Sequence, residues 1–315
     1  MENKVPENFA DRLINAIDEK HNPSVVGLDP RIEHIPEHLK SKHCRDDREA
    51  VADAFIAFNK AIIDAVYDIV PAVKPQLAFY EQYGHCGIRA FEETISYARS
   101  KGLIVIADAK RNDIGSTAEA YSAAYLGEVR NSSGSMIRSF DVDALTLNAY
   151  LGWDGVKPFV QACKEYNKGI FILAKTSNPS SGDLQDKKID DKTVYEEMSH
   201  LIGQWGDGSE GKRGYRSIGA VVGATFPEQA KQIRNILPNS IFLVPGYGAQ
   251  GAIAADIVAC FNPDGYGAII NSSRGIIFAY MDDQNKNSRQ FDTTARSAAI
   301  RMKEDISRAL AFFSL

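Results

Sequence analysis

The chain has 315 residues, 44% hydrophobic, 24% charged and 10% aromatic, a composition apolar enough for a large core and unlike that of a disordered chain. Its 36 basic and 41 acidic residues give a formal charge of −5, and the basic residues are scattered, so no stripe exists to attract nucleic acid. No apolar run approaches the ~18 residues that cross a bilayer, MENKVPENFADRL at the start has no signal-peptide core, and Cys44, Cys86, Cys163 and Cys260 lie far apart with no CxxC pair. The expected setting is reducing and cytoplasmic, without a membrane, a disulfide frame or a zinc site.

In chain order, Phe9, Leu13 and Ile17 make one apolar face, the pattern of a helix covering the bottom of a larger fold. Short β-rich runs follow: SVVGLD (24–29), PAVKPQ (71–76), LIVIADAK (103–110), DALTLN (143–148), IFILAKT (170–176), IGAVVGAT (218–225), IFLVPGYG (241–248) and GAIINSS (267–273). Most are continuously apolar, as parallel strands covered on both faces are. Helical spacing lies between them: Val51, Phe55, Phe58, Ile62 and Val66; Ile88, Phe91 and Ile95; Val156, Phe159 and Cys163; Ile253, Ile257 and Phe261. Eight strand and helix alternations over about 250 residues predict an α/β fold, a (β/α)8 TIM barrel, as a single domain over residues 1–315. Residues 178–216, after the fifth strand, are a polar insertion on the face where barrels keep their chemistry. They are a candidate lid, with a solvated loop as the plain alternative.

The third strand ends in charge. IVIADAKRNDIGST (104–117) places Asp108 and Lys110 two apart, on one side of an extended chain and about 7 Å from each other. Asp113 follows, and Ser116 with Glu119 has the spacing of a capping box. The first strand ends in Asp29 and the second in Lys74. A lone Asp–Lys pair is commonly a salt bridge, but ionic groups on three successive strand ends are costly to bury unless they serve a ligand. Lysines held between carboxylates stay protonated. Such an amine is a poor Schiff-base nucleophile and a good proton donor to a developing carbanion. PGYGAQG (245–251) and NSSRG (271–275), after strands seven and eight, offer glycine backbone and the Arg274 fork to a phosphate.

The run from Asp108 to Thr117 closely resembles the D-x-K-x-x-D-I-x-x-T signature of orotidine 5′-phosphate decarboxylases. GLDP (27–30), VKPQLAFY (73–80), AKTSNP (174–179), PGYGAQG and SRG resemble the other strand ends of that family, in order, over nearly the whole chain. The longer loops resemble its larger-subunit branch. The resemblance implies decarboxylation of orotidine 5′-monophosphate to UMP, without metal or cofactor. Lys110 would protonate C6, Asp108 would lie beside the substrate carboxylate, and Lys74 would span Asp108 and the ribose. It implies a homodimer in which Asp113 and Thr117 cross to the partner's site. It also implies Asp29 and Gln76 at the ribose, Ser177 with Thr176 at the pyrimidine edge, and Gln250 and Arg274 at the phosphate.

Three alternatives stand beside it. A magnesium-dependent sugar-phosphate lyase or synthase on the same barrel would need an acidic ligand near the second strand, where this chain has Lys74 and Gln76. A phosphate-binding scaffold without chemistry would not need the charged set Lys74, Asp108, Lys110 and Asp113. Gly246, Gly248 and Gly251 satisfy a dinucleotide-binding G-x-G-x-x-G, but on the seventh strand and after Pro245. His34 and His38 are four apart, but Pro36 between them breaks the helix that would align them on a metal.

Overall fold

In the computed structural model, which describes residues 7–40, 47–248, 251–282 and 288–313, every expected strand forms. They are β1 Ser24–Leu28, β2 Ala72–Pro75, β3 Ile104–Arg111, β4 Ala144–Leu147, β5 Gly169–Lys175, β6 Arg216–Val222, β7 Ser240–Val244 and β8 Ala268–Ser272. Each pairs in parallel with its sequence neighbours, and β1 closes on β8 with Val25 opposite Asn271, so the sheet is a closed (β/α)8 barrel. Closure leaves no nucleotide-binding βαβ half for the G-x-G-x-x-G run, and the dinucleotide reading falls.

The pleat sorts the strand residues into two cores. Val26, Val73, Val105, Leu145, Ile170, Phe242 and Ile270 point outward and pack under the helices. Val25, Ala72, Ile104, Ile106, Ala144, Phe171, Leu243 and Ile269 point inward. Helix α1, Phe9–Lys20, seals the bottom of that inner core with Phe9, Leu13, Ile14 and Ile17, as its spacing predicts. Phe9 sits edge-on to Phe171, 6.1 Å between ring centres. Gly169 makes room for it, because a Cβ there would stand 2.2 Å from the Phe9 ring.

The outer layer includes α2 Asp47–Val66, α3 Gly84–Ser100, α4 Gly115–Tyr125, α5 Trp153–Tyr166, α6 Val194–Trp205, α7 Pro227–Ile236 and α8 Phe291–Phe313. Phe55, Phe58, Ile62 and Val66 are the buried face of α2, and Phe58 stacks on Phe291 of α8 and on Phe278. Two local expectations change. The Ile253–Phe261 spacing yields only a short helix, Ala254–Ile257, continued as a 3₁₀ turn, with Ile253 exposed. Ser116 caps nothing: Gly115, at φ +54°, already begins α4, and the N-cap position falls on Ile114. A capping box of the same pattern does form at Thr193 and Glu196, where Thr193 has the extended backbone that a cap requires.

The 178–216 insertion is folded against the barrel. It contains a 3₁₀ turn, Pro179–Asp183, a hairpin pairing Lys188–Ile189 with Lys192–Thr193, and α6. Lys175, fully buried at the end of β5, anchors it through Asp186 at 2.6 Å and Ser181 at 3.2 Å, with its ammonium 4.5 Å from the centre of the Phe226 ring. Most side chains of residues 179–187 remain exposed, while Ser181 is buried. This segment is tied down by a buried charge that needs its partner.

Candidate active site

Inward parity carries the chemistry. Continuing each inner row in steps of two residues leads from Val25 through Gly27 to Asp29, from Ala72 to Lys74 and Gln76, from Ile106 to Asp108, and from Ala144 to Thr146. All these polar groups line one cavity of about 530 Å³ at the C-terminal mouth of the barrel, together with Lys110, Thr176, Ser177 and Arg274. Asp108 is its centre. One carboxylate oxygen accepts from Lys74 Nζ at 2.5 Å, and the other accepts from Lys110 Nζ at 2.5 Å and Thr146 Oγ1 at 2.9 Å.

Lys110 does not continue an extended strand. Between Ala107 and Arg111, β3 advances four residues while β4 advances two, from Leu145 to Leu147. Lys110 sits in this bulge with φ +47°, a left-handed conformation that costs a non-glycine residue about 1–3 kcal/mol. The bulge brings its ammonium to hydrogen-bond distance from Asp108, where simple alternation would only put the two side chains on one side.

The electrostatics follow from burial and proximity. Burial by itself would raise the pKa of Asp108, but the Lys74 and Lys110 ammonium groups hold the carboxyl far below the usual range. Burial likewise opposes the Lys74 charge, and Asp108 and Asp29 outweigh it and raise its pKa. For Asp29 burial wins: its pKa is raised despite Lys74 nearby. Its Oδ1 is buried without a hydrogen-bond partner, as is Oδ1 of Asn271 on the neighbouring strand β8. Two buried acceptors lacking donors are suited to the hydroxyl groups of a ligand.

The opposite wall comes from β5 and the strands beyond it. Gln185, on the insertion, accepts from the Thr176 backbone N–H at 2.9 Å and donates to Thr176 Oγ1 at 2.8 Å, and that hydroxyl donates to Asn178 at 2.6 Å. Thr176 is thereby committed within the protein, whereas Ser177 opens to the cavity. Gly246, which lines the cavity with Arg274, and Gly248 take φ of +106° and +72°, left-handed backbone that favours glycine. The Arg274 guanidinium is exposed and has no ion pair among the described residues. Gln250 lies outside the described residues.

Asp113 and Thr117 are not brought to this cavity. Thr117 is exposed and Asp113 half-buried, beside Ile114, which is 53% exposed. Tyr150, Leu151 and Trp153, after β4, are also exposed.

A sequence profile of the orotidine 5′-phosphate decarboxylase / HUMPS family matches residues 25–290. An orotidine 5′-phosphate decarboxylase of Caldicellulosiruptor saccharolyticus is 45% identical over 307 residues, 96% of this chain and 99% of that protein. The chain belongs to the orotidine 5′-phosphate decarboxylase / HUMPS family. Among solved structures of similar proteins, the Leishmania donovani OMP decarboxylase aligns with a TM-score of 0.73 at 30% identity, over 96% of this chain and 99% of its own. The Leishmania donovani UMP synthase aligns with a TM-score of 0.75 at 30% identity; this chain covers 57% of that longer protein.

On this family's barrel, the cavity residues to which the sequence reading gave no role include Thr146, Asn271 and Gln185. Thr146 and Asn271 carried a usable signal, since each lies two residues beyond an inward-facing apolar residue, Ala144 or Ile269. Gln185 carried none, because it reaches the cavity only through the fold of the insertion.

Proposed function

We propose that this chain acts as a single barrel domain that converts orotidine 5′-monophosphate to UMP and carbon dioxide, the last step of pyrimidine synthesis, using only its own side chains. The observation that carries this reading is the unbroken Lys74–Asp108–Lys110 contact chain inside the cavity, with both ammonium groups 2.5 Å from one carboxylate. Fixed positive charge occupies both sides of Asp108, where a cation would otherwise be drawn.

When the C6–carboxylate bond breaks, its electron pair stays on C6. The Lys110 ammonium stabilises that charge and transfers one proton from Nζ to C6, forming the C–H bond of UMP. Its side chain is 46% exposed, so solvent can return the proton once product leaves. The orphan Asp29 oxygen accepts a ribose hydroxyl, with Lys74 and Gln76 beside it. Ser177 reads the pyrimidine edge, while Thr176, with its hydroxyl already engaged, holds the loop. Arg274 and Gln250 take the phosphate. In a homodimer, Asp113 and Thr117 serve the partner's site; their distance from this chain's own cavity and the exposed Ile114, Tyr150, Leu151 and Trp153 around them favour that arrangement.

Purified protein is expected to change the ultraviolet absorbance of orotidylate to that of UMP, at the same rate with and without EDTA. Tight UMP binding with no carbon dioxide released would overturn the reading, and loss of activity in EDTA would favour the metal-dependent alternative. Arg274→Ala is expected to raise the Kd of UMP roughly thirtyfold, about 2 kcal/mol, the lower end for a charge pair because the guanidinium is exposed. Isothermal titration with UMP and with uridine checks this, and an equal loss for uridine would contradict the phosphate role.

A further inference from the structure

The bulge that aims Lys110 removes its peptide N–H from the strand ladder. Lys110 N donates instead to Thr146 Oγ1 at 3.0 Å, and the same hydroxyl donates to Asp108 Oδ1 at 2.9 Å. Lys110 Nζ returns to that same Asp108 oxygen at 2.5 Å. The contacts form a closed ring: Lys110 backbone, Thr146 hydroxyl, Asp108 carboxylate, Lys110 ammonium. The direction of the hydroxyl proton is settled by chemistry, since an ionised carboxylate only accepts and a peptide N–H only donates. Thr146 is therefore donor and acceptor at once. It is 1% exposed on β4.

We propose that Thr146 is a positioning residue for the decarboxylation: its hydroxyl holds the strained Lys110 backbone and the Asp108 carboxylate in register, so that the Lys110 ammonium stands where the proton is delivered. The inference rests on the decarboxylase reading. Lys110 occupies a conformation that L-residues rarely adopt, and it stays there only if its surroundings over-determine it. The backbone N–H held here belongs to the residue that carries the reacting amine, and Thr146 is its hydrogen-bond acceptor. Without the hydroxyl, that N–H and a carboxylate lone pair each lose a partner, and the bulge can relax. Asp29, Ser177 and Arg274 follow other strands, β1, β5 and β8, and stay in place.

The test is Thr146→Val, which keeps shape and removes the hydroxyl, beside Thr146→Ser, which keeps the hydroxyl and removes a methyl. With orotidylate, Thr146→Val is expected to lower kcat about 100-fold, the effect of misplacing a reacting group by about 1 Å. KM and the Kd of UMP are expected to stay within about threefold, and Thr146→Ser to recover kcat to within about tenfold of wild type. Near-normal kcat in Thr146→Val overturns the inference. So does equal impairment of the Val and Ser variants, which would assign the effect to packing, or a rise in UMP Kd that accounts for the whole loss. Should the Val variant not fold, Thr146→Cys takes its place with the same outcomes, because it lacks the same methyl as Thr146→Ser and its thiol hydrogen-bonds much more weakly than a hydroxyl. If wild type itself leaves orotidylate untouched, the failure belongs to the decarboxylase reading and not to Thr146.

Discussion

Lys110→Ala is expected to lower turnover of orotidylate by at least about four orders of magnitude while leaving UMP affinity within several-fold of wild type. Two effects vanish together: electrostatic stabilisation of the carbanion, about 10²–10³ for one well-placed donor, and general-acid proton delivery, typically about 10²–10⁴. Folding should suffer little. The lysine side chain is 46% exposed, and Asp108 keeps its bonds to Lys74 and Thr146 when the second ammonium is gone. Single-turnover kinetics with UMP titration separate the two quantities. Turnover within tenfold of wild type would remove Lys110 from the proton-donor role and with it the proposed mechanism.

Asp108→Asn is expected to damage stability as well as turnover. Asp108 and Lys74 are both almost wholly buried, and removing one member of such a pair leaves the other charge uncompensated, at about 3–5 kcal/mol. The sign of the pH dependence follows from the depressed Asp108 pKa. The folded state binds that proton less readily than the unfolded chain, so the carboxylate's contribution is present above the unfolded pKa, about 4, and disappears as pH falls through the folded value. Asp29, whose pKa is raised, acts in the opposite sense: its contribution is lost as pH rises from the unfolded toward the folded value. Urea midpoints measured from neutral pH down to about pH 2 are therefore expected to show a gap between wild type and Asp108→Asn at neutral pH that narrows in acid. A constant gap would mean that Asp108 stabilises the fold by packing and not by charge.

Much of this site was legible before folding because a strand has period two. Once Ile104 and Ile106 face the barrel interior, Asp108 must follow them, and the same holds for Lys74 after Ala72 and Asp29 after Val25. Lys110 also reached the cavity, but through a bulge and a positive φ instead of the simple alternation that predicted it. The capping-box spacing shows the same limit from the other side. Ser116–Glu119 and Thr193–Glu196 share one pattern, yet only the second becomes a cap, because where a helix begins depends on the backbone delivered to it.

The amino-acid sequence alone determined the strand count and order, the helical faces, and the acidic and basic residue types at three successive strand tips, since periodicity and residue chemistry are local properties. Only the tertiary structure decided the distances among those charges, the Thr146 clasp on Lys110, the commitment of Thr176 to Gln185, and the seating of the insertion on buried Lys175. Each of these depends on which segments barrel closure brings side by side, and hydrogen bonds between residues on different elements leave no periodic trace along the chain.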